Sequence, residues 1–137
     1  MSRLFLLLLF AIPFTNCKKI KEDIVERQVL NFITDGQWKV TEFSKNSVDY
    51  TGDFAGFQFD FKTNNYVDAI KNGMIQKTGT WEGDPNALTI TSAFPLDAPF
   101  PLTYLNGVWK LVDGGDNFAK ATKDENGEFS TLTLEKI

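Results

Sequence analysis

Few side chains in this sequence could carry out chemistry. The 137 residues include no histidine and a single cysteine, Cys17. Histidine is the usual general base and the commonest metal ligand, and one cysteine can form neither an intrachain disulfide nor a zinc cluster. Serine nucleophiles would lack their usual activating base. The sequence therefore predicts that the protein is not an enzyme and has no catalytic residue, no metal site and no cofactor.

Acidic residues are the remaining candidates, and many of them fall in predicted turns. Residues 124–128, Asp-Glu-Asn-Gly-Glu, resemble a calcium loop but lack the ligand spacing and the distant glutamate of an EF-hand. A solvated hairpin turn explains them, and it also explains residues 113–116, where glycine and aspartate are typical turn formers. Asp60 and Asp68 could meet across a hairpin, but Asp60 lies opposite a row of phenylalanines. We expect both carboxylates at the surface.

The charge balance excludes one class of partner. The chain carries 18 acidic and 14 basic residues, for a formal net charge of −4. This acidic excess gives no electrostatic support for binding a nucleic acid. The length and the 42% hydrophobic content are those of a single domain with its own core.

Cys17 lies at the end of a segment with the layout of a secretion signal. Arg3 precedes an apolar run over residues 4–14, which is about half of the roughly 20 residues that a membrane-spanning helix needs. Residues 14–17, Phe-Thr-Asn-Cys, resemble the lipobox of bacterial lipoproteins. The resemblance implies a signal peptide over residues 1–16 and a mature N-terminal Cys17 that carries acyl groups such as palmitate. The alternative is a plain secretion signal with an incidental cysteine.

Lipidation of Cys17 would also determine where the protein resides. Each buried methylene of an acyl chain contributes about 0.8 kcal/mol of membrane affinity, so a multiply acylated cysteine is a firm anchor without a transmembrane helix. We therefore expect a lipid-anchored protein of the bacterial cell envelope, at the outer membrane. The sequence leaves open whether the domain faces the periplasm or the cell surface.

The segment after Cys17, residues 17–34, contains the clearest helical pattern of the mature chain. Between residues 18 and 33, apolar side chains recur mostly at steps of three and four, with charged residues largely on the opposite face. One hypothesis is that this helix packs on one end of the following domain as a plug. The other is that it lies on the membrane beside the anchor, which Lys18, Lys19 and Lys21 would favour. The apolar positions are Ile20, Ile24, Val25, Val29, Phe32 and Ile33.

Residues 35–137 have the two-residue period that is typical of β-strands. Phe57, Phe59 and Phe61 alternate with polar residues, so one face of their strand is predicted to lie in a core. Asn72-Gly73 indicates a tight hairpin, because both residues tolerate positive φ. About eight short strands joined mainly by such turns predict a mainly β fold, namely an up-and-down antiparallel barrel with one N-terminal helix.

Three Gly-x-Trp segments place every tryptophan on a predicted strand, at residues 36–38, 79–81 and 107–109. Asn31-Phe32 followed by Gly36-Gln37-Trp38 resembles the first signature segment of the lipocalins, in which a short helix precedes the first strand. The two later segments resemble the pattern of small lipocalin-like lipoproteins of Bacteroidota-type bacteria. The resemblance runs from about residue 31 to the C-terminus and implies a lipocalin-like barrel whose base is closed by an indole. It transfers no ligand-contacting residue.

The predicted interior and one predicted loop leave two hypotheses about function. An eight-stranded barrel is just wide enough to be filled by side chains or to hold one small ligand. Residues 93–102 hold three of the five prolines and are predicted to form an apolar loop rather than a central strand. The candidate ligand-binding or core residues of the interior are Trp38, Phe57, Phe59, Phe61, Trp81 and Trp109.

In the first hypothesis the barrel binds a small hydrophobic ligand, and Phe94, Leu96 and Phe100 of the loop form a lid over it. In the second, the interior is solid and the same loop docks an envelope protein, so that the chain is an interaction or structural lipoprotein. Both hypotheses use the loop, and they differ in what the interior contains.

The lipoprotein interpretation predicts the behaviour of a Cys17→Ser variant. Serine has no thiol to accept the diacylglyceryl group, so the variant should leave the membrane fraction and lose the mass of its acyl chains. Cell fractionation and mass spectrometry of the purified protein check both changes. A variant that stays in the membrane fraction with an unshifted lipid mass would contradict the lipoprotein interpretation.

Overall fold

The computed structural model of the protein describes residues 32–137. Of the helix expected over residues 18–33, only Phe32 and Ile33 fall within this part, and both are helical. The rest of that helix, the signal segment and Cys17 lie outside the described residues. Within residues 32–137, none of the helices combines the length and hydropathy needed to cross a membrane.

Nine β-strands make up most of the domain, and each is antiparallel to its neighbours. Besides the helical residues Phe32 and Ile33, the described part of the chain has two short 3-10 turns, Thr51–Phe54 and Leu102–Leu105. In chain order the strands are β1 Trp38–Lys45, β2 Val48–Asp49, β3 Phe57–Phe61, β4 Tyr66–Lys71, β5 Met74–Asp84, β6 Thr89–Ala93, β7 Gly107–Gly114, β8 Phe118–Glu125 and β9 Glu128–Lys136.

The sheet closes on itself. Strands β3 to β9 are joined in sequence order, and β1 pairs with β9 on one side and with β3 on the other. The two-residue β2 adds to β1 beside the end of that strand, at Ser44 and Lys45. The predicted antiparallel barrel of about eight strands is therefore confirmed, with β2 as one extra strand. Closure leaves few unpaired strand edges, which protects the barrel from pairing with other chains.

The barrel has two ends, because successive hairpins turn at opposite ends. We call the end where residues 32–38 enter the proximal end; it also carries the turns at residues 62–65, 85–88 and 115–117. The distal end carries the turns at residues 46–47, 72–73 and 126–127, the two 3-10 turns and the loop before the second one. Positive φ values at Asn72 and Gly73, of 53° and 72°, confirm the hairpin predicted there.

Each of the three tryptophans ties a connecting segment to the barrel core. Their rings are buried, and each indole N–H donates a hydrogen bond to a backbone carbonyl. At the proximal end, Trp38 Nε1 donates to Ile33 O at 2.9 Å and Trp81 Nε1 donates to Lys62 O at 2.9 Å. Trp109 Nε1 donates to the carbonyl of Leu105, in the distal 3-10 turn, at 2.8 Å. Burial of an indole requires such a partner, so these bonds fix the segments that flank the strands.

The first strand contains an irregularity. It runs to Lys45 and forms a short hairpin with β2. A bulge between Val40 and Glu42 shifts the alternation and brings Phe43 into the core, with none of its surface exposed. A strict period of two cannot anticipate a bulge, because the inserted residue reverses the two faces of the strand.

Close packing at Gly79 predicts a strong effect of a single methyl group. A Cβ at this position would lie 2.6 Å from Ala93 O and 2.9 Å from Cδ1 of Phe94. Gly79→Ala should therefore lower the free energy of unfolding by about 1–3 kcal/mol, measured by urea denaturation.

Gly52→Ala is the matched control, because a Cβ there would meet nothing within 4 Å. It should leave the free energy of unfolding unchanged or raise it by up to about 1 kcal/mol. Equal effects of the two substitutions would contradict the packing observed at Gly79.

Candidate functional site

The centre of the barrel is filled by side chains. The six interior candidates named from the sequence are between 1% and 8% exposed. The space left among the interior side chains is about 50 Å³, far below the roughly 300–1,000 Å³ of typical small-molecule sites. The structure therefore places all six in the packed core, and one of them, Trp38, also borders a second cavity. They are Trp38, Phe57, Phe59, Phe61, Trp81 and Trp109.

A larger pocket opens at the proximal end, and we call it the proximal pocket. Its volume is about 340 Å³, within the range of small-molecule sites. Its lining comes from four parts of the chain that are far apart in sequence: residues 32–38, residues 88–90, the β7–β8 hairpin between residues 111 and 119, and Leu134 of β9. Five residues border both the pocket and the small central cavity, so the floor of the pocket is the top of the core. These five are Ile33, Ile90, Leu111, Ala119 and Leu134.

Leu88 lies at the mouth of the proximal pocket in an unusual backbone conformation. Its φ is 55°, in the left-handed region, which costs roughly 1–2 kcal/mol for a residue with a Cβ. The carbonyl of Leu88 accepts a hydrogen bond of 2.8 Å from Leu111 N–H, which ties the turn to β7. The fold therefore holds an apolar, 37% exposed side chain beside the pocket in a strained position.

The turn between β7 and β8 forms another part of the wall. Gly115 N–H donates to Phe118 O at 3.0 Å, and a Cβ on Gly115 would lie 2.9 Å from Cε1 of Phe118. Glycine thus allows the phenylalanine ring to lie directly against the turn. Half-buried Phe32, from the entry segment, is stacked on Trp38 with ring centroids 6.0 Å apart. Three aromatic rings thus line this pocket.

No pattern in the sequence marks the proximal pocket. Leu88 and Phe118 each look like an ordinary apolar residue beside a turn. The pocket arises because the turns around it leave space above the core, and the course of a turn depends on contacts that the local sequence does not record.

The expected lid at the distal end is divided between core and surface. Phe94 is 4% exposed and packs edge-on against Phe59, with ring centroids 6.4 Å apart, so its assignment to a lid is wrong. Leu96 is 94% exposed, and Phe100 is 57% exposed with its ring against Tyr104. Only these two residues of the predicted lid are available to a partner.

The rest of the distal loop, residues 93–102, and the 3-10 turn after it close this end of the barrel. Leu102 and Leu105 are buried, and the carbonyl of Leu105 accepts hydrogen bonds from Trp109 Nε1 and from the hydroxyl of Ser92. The side chain of Asn106 pairs with both backbone polar groups of Phe94, at 2.6 and 3.0 Å. These contacts make the distal end a fixed cap rather than an entrance.

A partly buried lysine lies beneath the distal cap. Lys123 Nζ donates to Asn106 O at 2.6 Å and lies 5.0 Å from the centre of the Trp109 ring. Desolvation lowers the pKa of Lys123. The negative charge of Glu125, whose carboxylate is 3.9 Å from Lys123 Nζ, partly opposes this shift. The Asn106 carbonyl and the Trp109 ring both stabilise the charged ammonium of Lys123, so this side chain helps to hold the distal cap in place.

Asp60 and Asp68 are directly paired between β3 and β4, as expected across a hairpin. The expectation that both lie at the surface is wrong for Asp68, which is 3% exposed. Asp68 is 2.7 Å from Lys62 Nζ and accepts a 2.6 Å hydrogen bond from Thr78. These two contacts lower the pKa of Asp68, whereas a general acid at neutral pH needs a raised one. Among residues 32–137, no group of three or more acidic or thiol side chains is placed to hold a metal ion.

Comparison with known proteins bears on the fold. No protein-family model matches the chain, and no curated protein matches it. A crystal structure of a DUF4847 family protein from Bacteroides vulgatus ATCC 8482 has the same fold, with a TM-score of 0.55 and 15% sequence identity over 78% of this chain and 96% of that one. The shared feature is the fold. The chain is thus a small β-barrel protein of a kind also found in Bacteroides.

The Asp68 contacts predict how stability depends on pH. Because folding lowers the pKa of Asp68 below its ordinary 3.8, its stabilising effect is fully present above pH 3.8 and is lost as the pH falls below that value. The difference in urea midpoint between the wild type and Asp68→Asn should be largest near neutral pH and shrink on acidification.

Lys62→Met removes the same ion pair from the other side. The difference in urea midpoint between the wild type and this variant should also shrink on acidification. A constant difference in midpoint between the wild type and Asp68→Asn from neutral pH to pH 3 would contradict the role given to this carboxylate.

Proposed function

We propose that the protein is a lipid-anchored, lipocalin-like barrel of the bacterial envelope that binds a small hydrophobic ligand in the proximal pocket. The observation that carries this proposal is the pocket itself, a cavity of about 340 Å³ whose walls are mainly apolar. Each square ångström of apolar surface that a ligand buries there contributes about 25 cal/mol. In this proposal the ligand lies at one end of the barrel, whereas the ligand hypothesis from the sequence had it in the interior.

The walls suggest the chemistry of the ligand. Phe32, Trp38 and Phe118 offer aromatic faces, and the floor is aliphatic. A ring or a short branched chain would fill such a space better than a long straight one, because the small cavity beneath, of about 50 Å³, gives little room for an acyl tail to continue downward. Residues 113–116, at the end of β7 and in the turn after it, supply polar atoms to the lining, and these atoms would meet the polar end of the ligand.

The proposed anchor would place this pocket near the membrane. Residue 32 is 15 residues beyond Cys17, and a fully extended chain of that length spans at most about 50 Å. Phe32 borders the pocket, so the tether joins the barrel beside the binding site. A hydrophobic ligand could then pass between the lipid surface and the pocket over a short distance. The lipobox resemblance and the single cysteine support this part of the proposal.

A second candidate function is docking of an envelope protein at the distal end. Leu96 and Phe100 support it, since they are 94% and 57% exposed while the rest of their loop is held firmly. Exposed apolar side chains on a rigid support are typical anchors of protein interfaces. This function would need no cavity, and the packed barrel centre is compatible with it.

A carboxylate introduced by mutation at either end of the barrel tests whether ligand binding is located at the proximal pocket. Leu88→Asp places a carboxylate at the mouth of the proximal pocket, and aspartate tolerates the positive φ found there. We expect N-phenyl-1-naphthylamine, a neutral fluorescent probe, to bind the wild type saturably, with quenching of the tryptophan emission. Leu88→Asp should weaken that binding about tenfold, a loss of roughly 1.4 kcal/mol.

Leu96→Asp is the matched control, because it adds the same charge at the distal end. It should leave probe binding unchanged. Absence of saturable probe binding to the wild type would rule out the proximal pocket as a ligand site, and equal loss in the two variants would show that binding is not located there.

A further inference from the structure

A second concave surface lies on the outer face of β4, β5 and β6. Its volume is about 420 Å³, and we call it the outer groove. Residues 64–66 form one side of it, and residues 80–82 and 91–93 form the rest. The proximal pocket shares none of these residues, and the distal loop shares only its first residue, Ala93. The side chains of Trp81 and Ser92 are buried.

The strand register fixes which side chains the groove presents. Tyr66 lies opposite Thr80, and Thr80 lies opposite Ala93; one row further, Glu82 lies opposite Thr91. Because Val67, Trp81 and Ile90 are buried on the inner face, their neighbours in each strand face outward. The groove therefore displays one aromatic ring, two hydroxyls and one carboxylate side by side.

These groups are free to bind a ligand. The side chains of Thr80, Glu82 and Thr91 are exposed, and none has a hydrogen bond or ion pair with any residue of the described part of the chain. Asn64 uses its oxygen to accept a bond from Tyr66 N–H, which leaves its amide N–H groups available. Tyr66 is 50% exposed. An exposed aromatic ring beside polar groups without partners can contact a ligand through apolar and polar atoms at the same time.

The turn that carries Asn64 and Tyr66 is held rigidly against β5. Trp81 N–H donates to Asn65 O at 2.9 Å, and Asn65 Nδ2 donates back to Trp81 O at 3.2 Å. The indole of Trp81 also donates to Lys62 O, just before the turn. Three hydrogen bonds between Trp81 and the residues Asn65 and Lys62 thus hold this side of the groove in place. A preformed site loses less entropy when it binds.

We propose that the outer groove binds a neutral saccharide. A sugar ring has an apolar face that can lie on the Tyr66 ring, and its hydroxyls both donate and accept, which suits the amide, hydroxyl and carboxylate groups around that ring. An anionic ligand is disfavoured because the groove contains Glu82 and no lysine or arginine among its lining residues. A purely apolar ligand would leave these polar groups desolvated without partners.

Titration of the isotope-labelled protein with cellobiose, followed by amide chemical shifts, tests this proposal. We expect weak, saturable binding with shifts confined to residues 64–66, 80–82 and 91–93. Tyr66→Ala should weaken binding about tenfold, whereas Tyr66→Phe, which keeps the ring, should bind as the wild type does. Thr91→Val, which has nearly the same shape without the hydroxyl, should weaken binding severalfold.

Phe129→Ala is the matched control, since Phe129 is 51% exposed on a strand elsewhere on the barrel, and it should not change the affinity. Sorbitol has similar hydroxyls without a ring, and glucuronate adds a negative charge; both should bind more weakly than cellobiose. Equal binding of sorbitol, tighter binding of glucuronate, or no saturable shifts at these residues would each overturn the proposal.

Discussion

Burial of three indoles, each with its N–H paired to a backbone carbonyl, is the constraint on which this structure depends. A tryptophan contributes a large apolar surface to a core, but its N–H cannot be left without a partner there. In this barrel the partners are carbonyls of the segments that connect or precede the strands, at Ile33, Lys62 and Leu105. The same side chain therefore packs the interior and holds a connecting segment in place. This explains how a barrel with so few other regular elements acquires defined ends.

The two ends differ because the indoles hold different kinds of segment. At the distal end, Leu105 accepts bonds from both Trp109 and Ser92, and a folded 3-10 turn then covers the core. At the proximal end, Trp38 holds only the short entry segment, and the turns around it stand apart and leave the pocket. Trp81 acts in a third way, since it fixes the turn of residues 62–65 against β5 and so shapes the outer groove. Both concave surfaces are thus bordered by a connecting segment that an indole holds in place.

Much of the fold could be predicted from the sequence, because its strands are amphipathic and its turns carry Asn-Gly or Asp-Gly signals. The Phe57, Phe59 and Phe61 row and the hairpin at Asn72-Gly73 follow directly from those local rules. What could not be predicted depends on contacts between distant residues. Phe94 and Leu96 are similar in the sequence, yet Asn106 fixes the backbone of Phe94 and turns its ring into the core. Asp68 became buried on the outer face because Lys62 and Thr78 cover it, and the proximal pocket has no local signal at all.

Leu88 combines a strained backbone with a position at the mouth of the proximal pocket. A gap above a core needs no strained residue, and a turn at this position would form with less cost if glycine or asparagine supplied the positive φ. Here a leucine occupies it, at a cost of roughly 1–2 kcal/mol, and the hydrogen bond from Leu111 N–H keeps the turn in place. The apolar side chain leaves 37% of its surface exposed in the free protein. A ligand in the pocket would bury that surface, and the strain would then be offset by binding rather than by folding.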